Sequence, residues 1–317
     1  GILFAVLMII TFGFAYNSVQ SNTICLAWQK AFGIEPATMG IILTALTLLI
    51  IFGGIQRVAK FSSTVVPVMA VVYLLIAVGV VIWNITSLPK VLLIIIENAF
   101  GFNQAAGGVL GVTVIQGIKR GLFSNEAGEG SAPNAAAVAT VSHPVKQGLI
   151  QALGVFTDTL VVCSCTAFII LMSGVDVTAS NGIQLTQDAL THEIGSIGNP
   201  FVAVMIWLFA FSSIIGNYYY GETNVRYIKD SKLGVFIYRL AVAAMVMIGA
   251  IVSLDFAWSF ADITMALLTL CNLAAIVLLS RQAVFLLQDY RQQKKEGKNP
   301  VFNKEKMPEI ADKLEAW

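Results

Sequence analysis

Residues 234–253, GVFIYRLAVAAMVMIGAIVS, carry a single charge, Arg239, in twenty positions, and runs of this kind recur along the chain. An apolar stretch of about 20 residues lets a helix cross the hydrocarbon core of a bilayer. By length and hydropathy seven segments meet that condition, at roughly 2–28, 37–55, 64–84, 147–172, 201–225, 234–253 and 257–286. Of the 317 residues 57% are hydrophobic and 12% charged, with mean hydropathy +0.81; soluble domains carry about 25% charged residues. The composition therefore reads as an all-α integral membrane protein. The net charge of +1 gives no electrostatic ground for a nucleic-acid partner. Cys25, Cys163, Cys165 and Cys271 lie in apolar runs without metal-ligand spacing and read as small buried hydrophobes. No metal or cofactor is expected.

An eighth segment, about 109–141, is unlike the others. It contains GLFSNEAGEGSAPNAAA (121–137), with three glycines, a proline, two carboxylates, two asparagines and two serines. The placement of Lys and Arg argues that it crosses nonetheless. If the first segment runs outward, the inward connections are QRVAKFS (56–62), SHPVKQ (142–147), YIKDSK (227–232) and the tail from RQQKKEGK (291–298). These hold Arg57, Lys60, Lys146, Lys229 and Lys232, whereas clear outward loop positions hold only Lys30 and Lys90. The alternation fails without the eighth crossing. In the outer loop 173–200, IQLTQDALTHEIG reads as a short amphipathic helix, and the tail as charged and partly ordered. The opening, Gly1 followed directly by ILFAVLMIITFGFAY, predicts a chain cut from within a longer protein.

Irregular backbone at membrane depth survives only inside protein or around a cavity, because hydrocarbon offers no hydrogen-bond partners. Gly121, Gly128, Gly130 and Pro133 predict a broken helix: one half at about 109–123, unwound chain at about 124–131, and a second half from about Pro133. Broken helices hold solutes and coupling ions in secondary transporters. Ala132, Ala135, Ala136 and Ala137 would let a neighbour pack closely, so a re-entrant or tightly packed structural helix is the plainer alternative.

RGLFSNEAGEGSAPNAAA with HPVKQGL (143–149) and FTDTLVVCSCTAFIIL (156–171) strongly resembles the alanine or glycine:cation symporter family, the sodium:alanine symporters. NSVQSNTI (17–24), FSSIIGNYYYGE (211–222) and FADITMALLTLCNL (260–273) resemble the same family, so the likeness covers essentially the whole chain. It implies a leucine-transporter-like fold of two inverted five-helix repeats. The eight crossings are then core helices 3–10, the broken one core helix 6, and core helices 1 and 2 lie outside the sequence with half the binding site. Residues 1–290 would form the transmembrane core and 291–317 a cytoplasmic tail, in the inner (plasma) membrane of a cell.

Tyr16 and Gln20 share one helical face, and the resemblance implies that both face the substrate; for Gln20 a helix-packing hydrogen bond is the alternative. Ser124, Asn125 and Gly128 would line the unwound stretch, with Asn125 alternatively capping the broken ends. Glu126 is expected in a gate or an ion pair with Lys119 or Arg120; Glu129 departs from the family pattern, which favours an uncharged residue there. The resemblance implies that Ser212 and Ser213 complete a Na⁺ site, Na⁺ favouring oxygen ligands, unless they bond back along their own helix. Asn217 stands where many members have Trp, which suggests a larger or more polar amino acid such as glutamine. Asp158, with Thr157 or Thr159, is a cation candidate. Asp262 is a gate candidate, each unless held by a helix end or by Arg239 or Arg281. The YYY triplet at 218–220 reads as a packing girdle.

The function implied is a secondary transporter coupling Na⁺ influx to uptake of a small neutral amino acid (alanine, glycine or glutamine) by alternating access, with H⁺ coupling as the alternative. An enzyme is disfavoured because no nucleophile, base and orienting group share a helical neighbourhood. A channel would want a pore-lining ring, and none is visible.

Overall fold

The computed structural model describes residues 1–53, 55–100, 107–308 and 314. Helix α1, Ile2–Phe32, runs 31 residues because it holds no proline and its one charge, Lys30, comes in the last turn. It ends at Gly33, whose φ of +68° is left-handed and suits glycine. Pro36 then opens α2, Pro36–Ile51, where a missing N–H costs nothing. Helix α3, Ile55–Trp83, starts earlier than expected, so QRVAKFS is helical rather than a loop. A short turn at Ile85–Ser87 leads into α4, Leu88–Ala99, and the pair Pro67–Trp83 and Ile85–Ala99 is bent by 72°.

Next come α5, Gly107–Asn125, and α6, Ser131–Ala136, the two halves of the interrupted segment. Helix α7 is Pro144–Ser173. The amphipathic α8, Ile183–Ile194, lies where the loop helix was expected. Helices α9, Gly198–Ile228, α10, Lys232–Ile251, and α11, Leu254–Lys295, complete the order. Among the described residues five helical runs are long and apolar enough to cross a membrane, or six if the bent pair is one crossing. The expected eight differ because α2 is only 16 residues long and the segment at 109–141 is divided.

Two stretches are wound loosely as π-helix, Ile9–Tyr16 in α1 and Asp158–Cys163 in α7. Such widenings re-aim the side chains beside them and gather at functional sites. Here one ends at Tyr16 and the other begins at Asp158.

Helix α1 is the inner post. Ile24 and Cys25 pack with Leu43 of α2, Phe211, Ile214 and Ile215 of α9, and Val242 and Val246 of α10. Met8, Phe12 and Tyr16 pack on Ala257, Ala261, Met265 and Leu268 of α11. Polar links join main chain to side chain across this core. Ser21 Oγ donates to the Val246 carbonyl at 2.6 Å, and Asn22 Nδ2 to those of Gly249 and Val252 at 3.1 and 2.8 Å. The approach is so close that a Cβ on Gly249 would lie 2.5 Å from Ser18 Cα. Tyr238 of α10 fits against Gly13 and Gly221 in the same way. Large apolar side chains such as Leu267, Leu270, Val277 and Leu278 of α11 face outward, as helices in lipid require.

Past α11 the chain folds back on the start of α7. Phe302 N donates to the Ser142 carbonyl at 2.9 Å, and Ser142 Oγ to that of Pro300 at 2.9 Å. Lys146 Nζ reaches Asn299 Oδ1 at 2.7 Å, and Val301 exchanges two hydrogen bonds with Gln293. His143 is wholly buried beneath Phe302 and Tyr290 and caps α7, its Nδ1 accepting from Val145 N at 3.2 Å. Asp289 stands 3.4 Å from His143 Nε2 and 2.6 Å from Lys306 Nζ. The last stretch of the tail, 309–313 and 315–317, lies outside the described residues.

Two outcomes follow. Gly249→Ala should destabilise the protein by about 1–3 kcal/mol through overpacking, read as a lower unfolding temperature in detergent. Gly154→Ala, which meets nothing within 4 Å, should not. Burial pushes the His143 imidazole below the usual histidine range, against the opposing pull of Asp289. The unfolded chain then takes that proton first. Stability from this site is therefore complete above the ordinary histidine value and is lost as pH falls below it. Unfolding temperature should drop on acidification, and less so in His143→Asn.

Candidate functional site

Helix α5 stops at Asn125 because three consecutive alternate residues turn left-handed. Glu126 has φ +49°, Gly128 +79° and Gly130 +81°. A non-glycine residue there costs of order 1 kcal/mol, held by its surroundings. At Gly130 glycine is required twice over, since a Cβ would also lie 2.8 Å from Asn272 Oδ1 and from the Phe4 ring. The freed main chain is satisfied by asparagines: Asn272 Nδ2 donates to the Gly128 carbonyl at 2.8 Å, and Asn134 Nδ2 to that of Gly130 at 2.9 Å. Asn125 Nδ2 donates to the Gly121 carbonyl at 3.0 Å, and its Oδ1 accepts from Thr159 Oγ1 at 2.6 Å. Helix α6 begins at Ser131, two residues before the expected Pro133, which falls in its first turn.

Beside the break lies a cavity of about 270 Å³, a little under the range of about 300–1,000 Å³ for drug-sized ligands. Tyr16 and Gln20 line it from α1, Ser124 and Glu126 from the break, and Ser213, Asn217 and Tyr220 from α9. The structure thus gathers Tyr16, Gln20, Ser124, Glu126, Ser213 and Asn217 at one site. Asn125 and Gly128 instead line a second cavity between α6 and α11, their polar groups already engaged within the protein. Tyr220 was expected as girdle and lines the pocket, its ring meeting Phe12 edge-on at 5.1 Å. Tyr218 is buried and accepts from Arg239 Nε at 2.9 Å. Asn217 is also buried, donating through Nδ2 to Asn17 Oδ1 at 3.2 Å.

The acids divide differently from the sequence expectation. Lys119 and Arg120 do not pair with Glu126. They hold Asp262 of α11, at 3.3 and 2.5 Å, and Arg120 also lies over the Trp258 ring at 4.1 Å. Both cations are still helical and project toward α11, whereas Glu126 follows the helix end in a left-handed turn and accepts from Ser131 Oγ. Asp262 therefore forms an ion pair, with neither Arg239 nor Arg281. Arg239 is engaged with Glu222 at 3.3 Å, and Arg281 stands nineteen residues along the same helix, about 28 Å at 1.5 Å per residue.

Asp158 accepts from Ser124 Oγ at 2.6 Å; Thr157 bonds back to the Leu153 carbonyl, and Thr159 serves Asn125. Ser212 and Ser213 both donate to the Phe209 carbonyl, at 2.8 and 3.2 Å, the helix-internal arrangement. Cys163 is exposed rather than buried and meets Ser124 Oγ at 3.2 Å. Sequence reasoning missed the placement of Glu129, which is wholly buried and accepts from the Tyr16 hydroxyl at 2.8 Å. The signal was there in a carboxylate between two glycines at the break.

Helical throughout its described residues, with five to six candidate crossings among them and a small polar pocket beside an interrupted helix, the chain is a multi-pass membrane protein. The chain belongs to the sodium:alanine symporter family, whose model matches residues 1–304. It is 54% identical over 306 residues to a Bacillus subtilis protein named "Probable sodium/glutamine symporter", covering 96% of this chain and 64% of that relative. An amino-acid carrier protein of Bacillus subtilis is 50% identical over 317 residues, 100% of this chain and 68% of its own. A sodium/proton-dependent alanine carrier protein of Bacillus sp. strain PS3 is 38% identical over 306 residues, at 91% and 69%. The chain thus spans about two thirds of the length of these relatives.

The ion pair gives a direct test. Asp262→Asn and Arg120→Gln should each destabilise, and the double substitution less than their sum, with a coupling of order 1 kcal/mol in a thermal double-mutant cycle.

Proposed function

We propose that these residues form the larger part of a secondary transporter that couples Na⁺ entry to uptake of a small neutral amino acid by alternating access. The observation that carries the reading is the pocket itself. Three separate elements converge on it: α1 with Tyr16 and Gln20, the break after α5 with Ser124 and Glu126, and α9 with Ser213 and Asn217. Its size suits a solute of a few heavy atoms. Its hydroxyls, amides and carboxylate offer both donors and acceptors to a zwitterion. The family and the names of the relatives support Na⁺ as the coupling ion.

In this reading the fold is leucine-transporter-like, the described crossings belong to core helices 3–10, and the tail is cytoplasmic, in agreement with the Lys and Arg bias. Ser212 and Ser213 complete a Na⁺ site by turning from the Phe209 carbonyl toward oxygens of a further helix. Asp158, now holding Ser124, is the next cation candidate. Asn217 sets the preference: in place of a ring it leaves room and a second amide, which favours glutamine beside alanine. The 54% identity to a relative named for glutamine supports this preference.

Reconstituted into liposomes, the transporter should accumulate labelled amino acid against its gradient only with an inward Na⁺ gradient. Loss of accumulation when Na⁺ is present on both sides separates coupling from a channel. Asn217→Trp should shift the competition ranking from glutamine toward glycine and alanine by about tenfold, the worth of about 1.4 kcal/mol of pocket contacts. An unchanged ranking removes Asn217 from the specificity argument.

A further inference from the structure

Glu129 is a carboxyl in the wrong surroundings for a charge. It is wholly buried; Oε1 accepts one hydrogen bond, from the Tyr16 hydroxyl at 2.8 Å, and Oε2 is buried with no hydrogen-bond partner. Each other acid around the break is matched. Glu126 has Ser131, Asp158 has Ser124, and Asp262 has Arg120 and Lys119. Among the described residues no Lys, Arg or His lies within 4.0 Å of Glu129. The titratable groups that face it are Tyr16 of α1 and Glu126 in the same turn. Tyr16 in turn lines the pocket together with Tyr220 of α9, and Asp262 of α11 is paired with Arg120 and Lys119. Asn272 of α11 is neutral and occupied with the Gly128 carbonyl.

A carboxylate in such a place must be neutralised, by a cation or by a proton. A hard metal cation demands several oxygens at once, and the side-chain oxygen hydrogen-bonded to this carboxyl is the Tyr16 hydroxyl, which gives its proton to Oε1, while Oε2 has no hydrogen-bond partner. A proton needs only Oε2. We infer that Glu129 is a proton-binding site of the transporter, wired to the solute pocket through the Tyr16 hydroxyl. This rests on the transport reading above for its consequence, though not for the site itself.

The wiring is one phenol with two possible engagements. When Glu129 is ionised, a charge-assisted hydrogen bond holds Tyr16 to it. When Glu129 carries the proton on Oε2, that bond is weaker and the hydroxyl is free to serve the pocket that Tyr16 lines. A proton and a solute bound at linked sites must affect each other's affinity equally. Proton binding at Glu129 then strengthens solute binding, and solute draws the proton on.

The site is read directly by infrared spectroscopy of the reconstituted protein, from difference spectra of wild type minus Glu129→Gln. A carboxylic-acid carbonyl band present at neutral pH in wild type, lost in Glu129→Gln and kept in Glu126→Gln is the expected result. A difference spectrum with only carboxylate bands overturns the inference. In uptake at saturating Na⁺, the wild-type half-saturation for amino acid should rise severalfold as pH is raised, and that of Glu129→Gln should stay flat. A Glu129→Gln protein with an unchanged pH profile but a roughly tenfold higher Na⁺ half-saturation makes Glu129 a metal-ion ligand and overturns the proton. If Glu129→Gln does not fold, Glu129→Asp keeps an acid at a shorter reach; absence of any acid band there counts against the site. Failure of every variant and of wild type to accumulate amino acid sinks the transport reading alone, because the infrared result still decides the proton.

Discussion

The hydrogen bond from Asn272 on α11 to the carbonyl of Gly128 is the long-range part of what the break demands, beside the local one from Asn134 to Gly130. Main-chain groups released from a helix have no solvent at membrane depth, so the protein must supply their partners. Asn272 does so from a distance in sequence of 144 residues, and its own position forbids a side chain at Gly130. Phe4 of α1 closes on the same glycine. The interruption is thus pinned from two sides. Where α5 stops, Ser124 and Glu126 are presented to the pocket rather than carried round a continuing helix.

The other wall is held by close backbone contact. Gly249 lets α10 touch α1 at Ser18, and serine and asparagine side chains from α1 then reach the α10 carbonyls. That contact fixes the rotation of α1, and the π-wound stretch before Tyr16 sets the direction of the phenol. Asn17, one residue on, meets Asn217 from α9. The pocket is therefore a product of two backbone irregularities, the break after α5 and the π-wound stretch of α1, and one glycine contact, more than of any single polar residue.

Much of this was legible in the sequence. Apolar runs of bilayer length gave the long helices, and Gly128, Gly130 and Pro133 gave the break within a few residues. The face shared by Tyr16 and Gln20 followed from a spacing of four. What local reading could not give was partnership. Lys119 and Arg120 are near Glu126 in sequence, but the helix ends between them, and their charge goes to Asp262, 142 residues from Arg120. The π-wound stretches were also invisible, since no residue type demands them. The fold-back of 299–306 depends on a buried histidine and a phenylalanine finding one another across more than 150 residues. Cys163 failed for a related reason: an apolar neighbourhood in sequence says nothing about which side of a helix looks outward.

In that fold-back, hydrogen bonds and an ion pair tie the tail to the far end of α11 and to the start of α7. The tail thus joins, at one end, the two helices whose side chains meet the interrupted segment, α11 through Asn272 and Asp262 and α7 through Asp158.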